Sequence, residues 1–384
     1  MHFPRWIAVA LLLAPLIDGR ECGQAELEQK NVTGCTSLTH VRYLGHKNAI
    51  WLGDALHHNV DLEAVDLHHT ILGDDDAVSL AAGLQNNTHL KRLAMHNNRI
   101  FDVGAAALGE GLANNDALQE LILSSNGIGD KGAKALADGL RKNRALRRLD
   151  LYVNLITDEG GIALAEALSD NRGLRSLHVD TNQLGDRAAL AFAKALEGSK
   201  PEQKSSAWGF SSSEPVKEVR PALLSELTLM YSHLTNTGAD ALMAAAKVNT
   251  HIHSLMIDSN HMMSGDTRTA WKEEHVPAMQ ERHTIAKWIV GHGLVESGSL
   301  DPHKISRREW HGGDDGPPLA SAYAPVVTAL KLHTEEGIDA LRHENEQSLA
   351  ARAELESMAS DERDALIKAI LAETAQLAPV HDEL

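Results

Sequence analysis

Apolar and polar positions along this chain fall into a figure that recurs every 28 residues. Leu62, Leu90, Leu118, Leu146 and Leu174 open five consecutive copies, and after an interruption the opening returns at Leu224 and, 28 residues on, at Ile252. A fixed period of this length is the mark of a repeat architecture. In the third copy, Leu118, Leu121, Leu123, Asn126 and Ile128 spell L-x-x-L-x-L-x-x-N-x-I. The alternation over Leu121-Ile122-Leu123 predicts a short strand with one face buried. Asn126 falls where the chain must turn, and its amide can bond backbone groups that the turn leaves unpaired. Beyond Gly129-Asp130, the residues Ala133, Leu136, Ala137 and Leu140 recur three and four apart like one helical face, with Asp130 as the expected N-cap. Each copy is thus predicted to be a strand, a turn and a helix.

One such unit cannot bury its own apolar edge, so neighbours must stack, strands side by side and helices outside. Small residues on the helices, such as Ala105, Ala107, Ala133 and Ala137, allow close approach while the strands form a tight inner sheet. The pattern resembles the ribonuclease-inhibitor-like class of leucine-rich repeats, whose unit is 28 residues long with a full helix. The resemblance covers about Leu38 to Met263. It implies an α/β leucine-rich-repeat solenoid, a horseshoe with an inner parallel sheet and outer helices, acting as a non-enzymatic scaffold that binds a partner protein on its concave side.

Departures from the period divide the chain. Leu38 to Asp61 reads as a shortened first unit, which with the residues from 20 onward forms an N-terminal cap. The repeats run over 62–263. The position of Asn126 is filled by Asn98, Asn154, Asn182 and Asn260, but by Thr70 and Ser232 in two copies, where a less regular turn is expected. Residues 198–221 form a serine-rich insertion of about 22 residues. A helical C-terminal cap is expected over 264–309, a linker over 310–325, where Gly312-Gly313 and Pro317-Pro318 fall, and a helical tail over 326–380.

The two ends bear on location. Trp6 to Ile17 is an apolar run of 12 residues behind Arg5, too short to span a bilayer, and residues 1–19 are expected to be a secretory signal peptide. The last four residues, His381-Asp382-Glu383-Leu384, form an address that retrieval receptors read to return proteins to the endoplasmic reticulum. A lumenal resident without a membrane span after cleavage is expected. Cys22 and Cys35 are the only cysteines, placed where leucine-rich-repeat proteins of the secretory route often carry a disulfide-closed cap, and a pairing there would contribute roughly 3 kcal/mol. Asn31 and Asn86 head glycosylation sequons. The formal charge of −17 offers no ground for nucleic-acid binding.

Alternate strand residues point away from the core. At the third, fifth, seventh and eighth positions of the copies, the residues Asp66, His68, Arg92, His96, Arg148, Asp150, Tyr152, His178, Asp180, Tyr231 and Asp258 are the expected partner-binding set. Glu120, Glu226 and Met230 fall on the same wall. His68, His96 and Asp66 are the candidates for a divalent metal, although no ligand spacing supports them. No cofactor is expected, and no nucleophile elbow or phosphate-cradling loop suggests catalysis. Two alternatives remain. Ran GTPase-activating proteins share this repeat type, which implies a cytosolic regulator of a small GTPase. From Thr334 onward acids outnumber bases 13 to 4, which would suit a lumenal calcium buffer.

Overall fold

A computed structural model describes residues 20–58, 61–198, 221–276 and 279. The signal peptide over 1–19, nearly all of the insertion, the linker, the helical tail and the His381-Asp382-Glu383-Leu384 terminus lie outside the described residues, as does all but the start of the cap expected over 264–309. Among the described residues no helix is long and apolar enough to cross a membrane.

Nine strands form one parallel sheet in chain order: β1 (Arg20–Cys22), β2 (Cys35–Leu38), β3 (Ala64–Asp66), β4 (Arg92–Ala94), β5 (Glu120–Ile122), β6 (Arg148–Asp150), β7 (Ser176–His178), β8 (Glu226–Thr228) and β9 (Ser254–Met256). A helix follows each strand: α1 (Gln24–Glu28), α2 (His46–His58), α3 (Asp74–Leu84), α4 (Asp102–Ala113), α5 (Asp130–Lys142), α6 (Asp158–Asp170), α7 (Asp186–Glu197), α8 (Asn236–Val248) and α9 (Gly265–Ala270). The register runs straight through the middle of each strand: Val65, Leu93, Leu121, Leu149, Leu177, Leu227 and Leu255 pair in one file. All seven are buried. Each contributes about 2 kcal/mol by leaving water, and only because its neighbours in the file supply the other wall. The α/β repeat solenoid is therefore present.

The first unit is less truncated than its leucines suggest. Leu38 pairs with Val65, the fourth residue of its unit, so this copy opens at Cys35 rather than Leu38, one residue short of a full period. β1 adds a further strand ahead of it, and a disulfide joins Cys22 to Cys35. At the far end Trp271, 2% exposed, is buried against the last repeat in a π-helical turn over Trp271–His275. The insertion leaves the ladder unbroken, since Leu177 pairs directly with Leu227.

Three polar ladders tie copy to copy. Asn126 donates from Nδ2 to the carbonyls of Leu123 and, one copy back, Met95, each at 3.0 Å, while its Oδ1 accepts from Ile100 N. A second ladder, absent from the leucine motif, stands at the helix ends: Asn143 donates to the Leu112 and Asn115 carbonyls and accepts from Leu146 N. The third corrects an expectation. Gly129, not Asp130, is the N-cap of α5. Asp130 reaches forward instead, and its Oδ1 accepts from Thr157 N at 2.8 Å and Gly160 N at 2.9 Å, capping the next helix. Asp74, Asp102, Asp158 and Asp186 serve their successors in the same way. This requires a small residue at the third helical position, because a Cβ on Gly160 would lie 2.7 Å from the Asp130 carboxylate. The copy containing Thr70 has an irregular turn, with Ile71 left-handed as well as His69; the copy containing Ser232 keeps the ordinary form.

Candidate functional site

Strands at the usual spacing of roughly 4.8 Å bring equivalent positions into columns across the concave wall. The third positions of β4 to β8 are Arg92, Glu120, Arg148, Ser176 and Glu226; the fifth positions of β6 to β8 are Asp150, His178 and Thr228. The register thus sets basic, acidic and hydroxyl side chains beside one another at a fixed distance. What each group becomes depends on its neighbours.

In the N-terminal half, Asp66 Oδ1 accepts from His68 N at 3.1 Å and lies 2.7 Å from His68 Nδ1. The His68 ring stacks on that of His96, centroids 4.9 Å apart and planes 8° from parallel. His96 is pushed below the ordinary imidazole range, first by burial, which prevails over the opposing pull of Asp66, with smaller contributions in the same direction from the neighbouring His68, His69 and Arg92. These three residues do not converge on a metal. Imidazole lone pairs lie in the ring plane, so two stacked rings direct them in parallel rather than toward one point. Among the described residues no group of three or more His, Cys, Asp or Glu side chains could hold an ion. Arg92 meets Glu120 at 3.5 Å on the neighbouring strand.

The C-terminal half is denser. His178 lies between two carboxylates, with Nε2 3.1 Å from Glu226 Oε2 and Nδ1 3.7 Å from Asp150 Oδ2. Ser176 donates to Glu226 Oε2 at 2.7 Å, and Arg148 stands 3.7 Å from Asp150. Burial alone would lower the His178 pKa, but the two carboxylates more than offset it and raise it to about 9. Burial would raise both acids, yet His178 holds Asp150 below its usual value and Glu226 at about 2. Next to them Asp180, 6% exposed, accepts from Thr228 Oγ1 and from Met230 N at 2.7 Å. Here burial prevails and pushes the carboxyl up to about 6.

Ser176, His178 and Asp150 outline a serine, imidazole and carboxylate series, with Ser176 Oγ 3.0 Å from His178 Nε2. Glu226 defeats a catalytic use of it. A general base must be unprotonated to take the serine proton, and the second carboxylate keeps the imidazole charged at neutral pH. The group is a preset cation between anions, suited to holding a surface in one geometry.

Tyr152 and Tyr231 flank this cluster and are 43% and 49% exposed. Tyr152 N donates to Asp150 Oδ1, which ties one tyrosine's backbone to the ion cluster. Tyr231 occupies the left-handed eighth position shared by His69, Asn97, Ser125, Val153, Thr181 and Ser259. Asp258 lies apart from the cluster and pairs with Lys272 at 3.7 Å. Of the expected set, Arg148, Asp150, His178 and Asp180 are brought together, and Asp66, His68, Arg92 and His96 form a separate group. Glu226 completes the first of these and is not legible from any single column: it occupies the third position against the fifth for His178, and a 50-residue step in sequence separates their strands. Asn31 and Asn86 are exposed, as acceptors must be.

Residues 86–109, 114–137 and 142–165 match the leucine-rich repeat family, so the chain carries leucine-rich repeats. No curated protein matches the chain. Among solved structures it is similar to the actin-binding site 2 of leiomodin-1, with 24% identity over 33% of this chain and 75% of that one and a TM-score of 0.31. It is also similar to the C-terminal domain of a Caenorhabditis elegans tropomodulin, with 16% identity over 35% and 81% of the two chains and a TM-score of 0.30. A TDR receptor shares 12% identity over 61% of this chain and 32% of its own, with a TM-score of 0.30.

Proposed function

We propose that this protein is a recognition scaffold of the endoplasmic reticulum lumen that binds another protein on the C-terminal half of its concave sheet. The observation that carries this reading is the preset ion cluster at β6 to β8, flanked by two half-exposed tyrosines. Aromatic anchors supply much of the energy in typical interfaces. Charges already fixed by one another need little reordering on contact, which lowers the entropic cost of docking and favours one register. The apolar run before Asp18, the His381-Asp382-Glu383-Leu384 terminus, the disulfide and the exposed sequons support the lumenal address, and the retrieval receptor would be a second partner.

Affinity capture from microsomes with the full chain, compared with Tyr152→Ala/Tyr231→Ala, tests the surface. A partner retained by the parent and lost by the variant is expected; capture that is indifferent to both tyrosines contradicts it. The address is tested by glycosidase treatment of the cellular protein, which should reduce its mass unless Asn31 and Asn86 are both replaced by Gln. An unmodified cytosolic product would overturn the address and leave the binding surface standing.

A further inference from the structure

Opposite the helix starts, the edge where each helix returns to the next strand carries a second feature. Two consecutive turns there, 141–147 and 170–175, hold Arg141, Lys142, Arg144, Arg147, Arg172 and Arg175 against a single acid, Asp170. The guanidiniums share one edge: Arg147 reaches across to the Gly173 carbonyl at 2.7 Å, and Arg172 to that of Pro221 at 2.7 Å. Arg141 pairs with Asp138 and Glu166. Arg144 and Arg147, by contrast, have only backbone carbonyls as partners among the described residues. A carbonyl satisfies an N–H without cancelling the charge.

The fold does not ask for these cations. The turns are closed by the Asn115, Asn143 and Asn171 ladder, and equivalent turns elsewhere place Thr88, Asp116 and Thr250 where Arg144 and Arg172 stand. A positive edge on a chain of net charge −17 therefore implies an acidic counterpart.

We propose that this arginine edge docks the chain's own acidic segment, residues 334–384. That stretch has 13 acids and 4 bases, so it carries −9 of the −17. The last described residue is Met279, and a flexible tether of 55 residues, the length from there to Thr334, would reach roughly 40 Å. Tethering at that range corresponds to an effective concentration on the order of 1 mM, enough to populate a contact made of individually weak ion pairs. A separate acidic protein would have to outcompete it.

Zero-length carbodiimide coupling of the purified full chain, read by peptide mass spectrometry, tests the contact through the exposed amine of Lys142. At about 50 mM salt Lys142 should couple to acids within 334–384, and the yield should fall about fivefold at 0.5 M salt and in Arg144→Gln/Arg147→Gln. The salt arm needs no variant, so it stands even if the double variant folds poorly. Coupling of Lys142 only to Asp138, Glu166 or Asp170 overturns the proposal. So do yields indifferent to salt and to the arginines. In a mixture of isotope-labelled and unlabelled chains, links found only between copies overturn it as well.

Discussion

The two halves of the concave wall use the same side-chain types and reach opposite states. At β3 and β4 His96 stacks on His68 with one carboxylate nearby, and burial leaves it less basic than a free imidazole. At β6 to β8 His178 lies between two carboxylates and is more basic than any free imidazole. The ladder register is the same in both places, although the turn after β3 is irregular. The repeat supplies slots at a constant spacing: His68 and His96, in the seventh slot of neighbouring copies, form a ring stack, whereas His178, in the fifth slot, has a carboxylate on each neighbouring strand and becomes a fixed cation. Recognition therefore belongs to occupants, and the fold only aligns them.

Removing the central cation should break the comparison most sharply. His178→Ala leaves Asp150 and Glu226 facing each other in a largely buried space, and a loss of about 3 kcal/mol is expected in urea unfolding at pH 7, against about 1 kcal/mol or less for His96→Ala. The pH profile supplies a second signature. The folded-state pKa of His178 is raised, so its contribution is complete below the unfolded value of about 6.5 and is lost as pH rises through about 9. The parent should lose stability between pH 7 and 9 more steeply than His178→Ala does. Equal costs for the two substitutions would erase the distinction.

The polar ladder beneath the wall should show a graded contrast. Asn154 bonds two copies, donating to the Leu123 and Leu151 carbonyls and accepting from Ile128 N, whereas Thr70 Oγ1 donates to the Leu67 carbonyl in its own turn at 2.7 Å and reaches the next copy only through a longer contact of 3.4 Å to Asn98 Oδ1. Asn154→Ala should cost about 3 kcal/mol by leaving buried groups unpaired, and Thr70→Ala about 1 kcal/mol, both by chemical denaturation. An effect of reversed sign is expected at Asp180. Its folded-state pKa is raised to about 6, so its favourable contribution is present below the unfolded value and is lost as pH rises through 6. Asp180→Asn should accordingly gain about 2 kcal/mol over the parent at pH 7.5 and nothing at pH 4, measured by unfolding at both values.

Much of this molecule is legible in its leucines. The 28-residue step predicts strand, turn and helix in every full copy, and the asparagine after the strand predicts the first ladder. Three things escape a motif. Asp130 precedes a helix and looks like its cap, but an aspartate facing a glycine one copy ahead finds free N–H groups there, and only stacking reveals them. The Asn115 and Asn143 ladder hides among ordinary polar turn residues. The ion cluster straddles an insertion: the opening that returns at Leu224 puts Glu226 on the wall, but its contact with His178, two positions further along the neighbouring strand, is an interaction between columns that the motif does not report. Local propensity reports what a residue does within its own copy, and all three exceptions are interactions with the next one.

The central claim, that one sheet sets its two histidine neighbourhoods oppositely, is tested most directly by titrating the imidazole resonances of the full chain by NMR. His178 should titrate near pH 9 and His96 below 6.5. Both rings titrating together near 6.5 would contradict the preset cluster and the binding surface built on it.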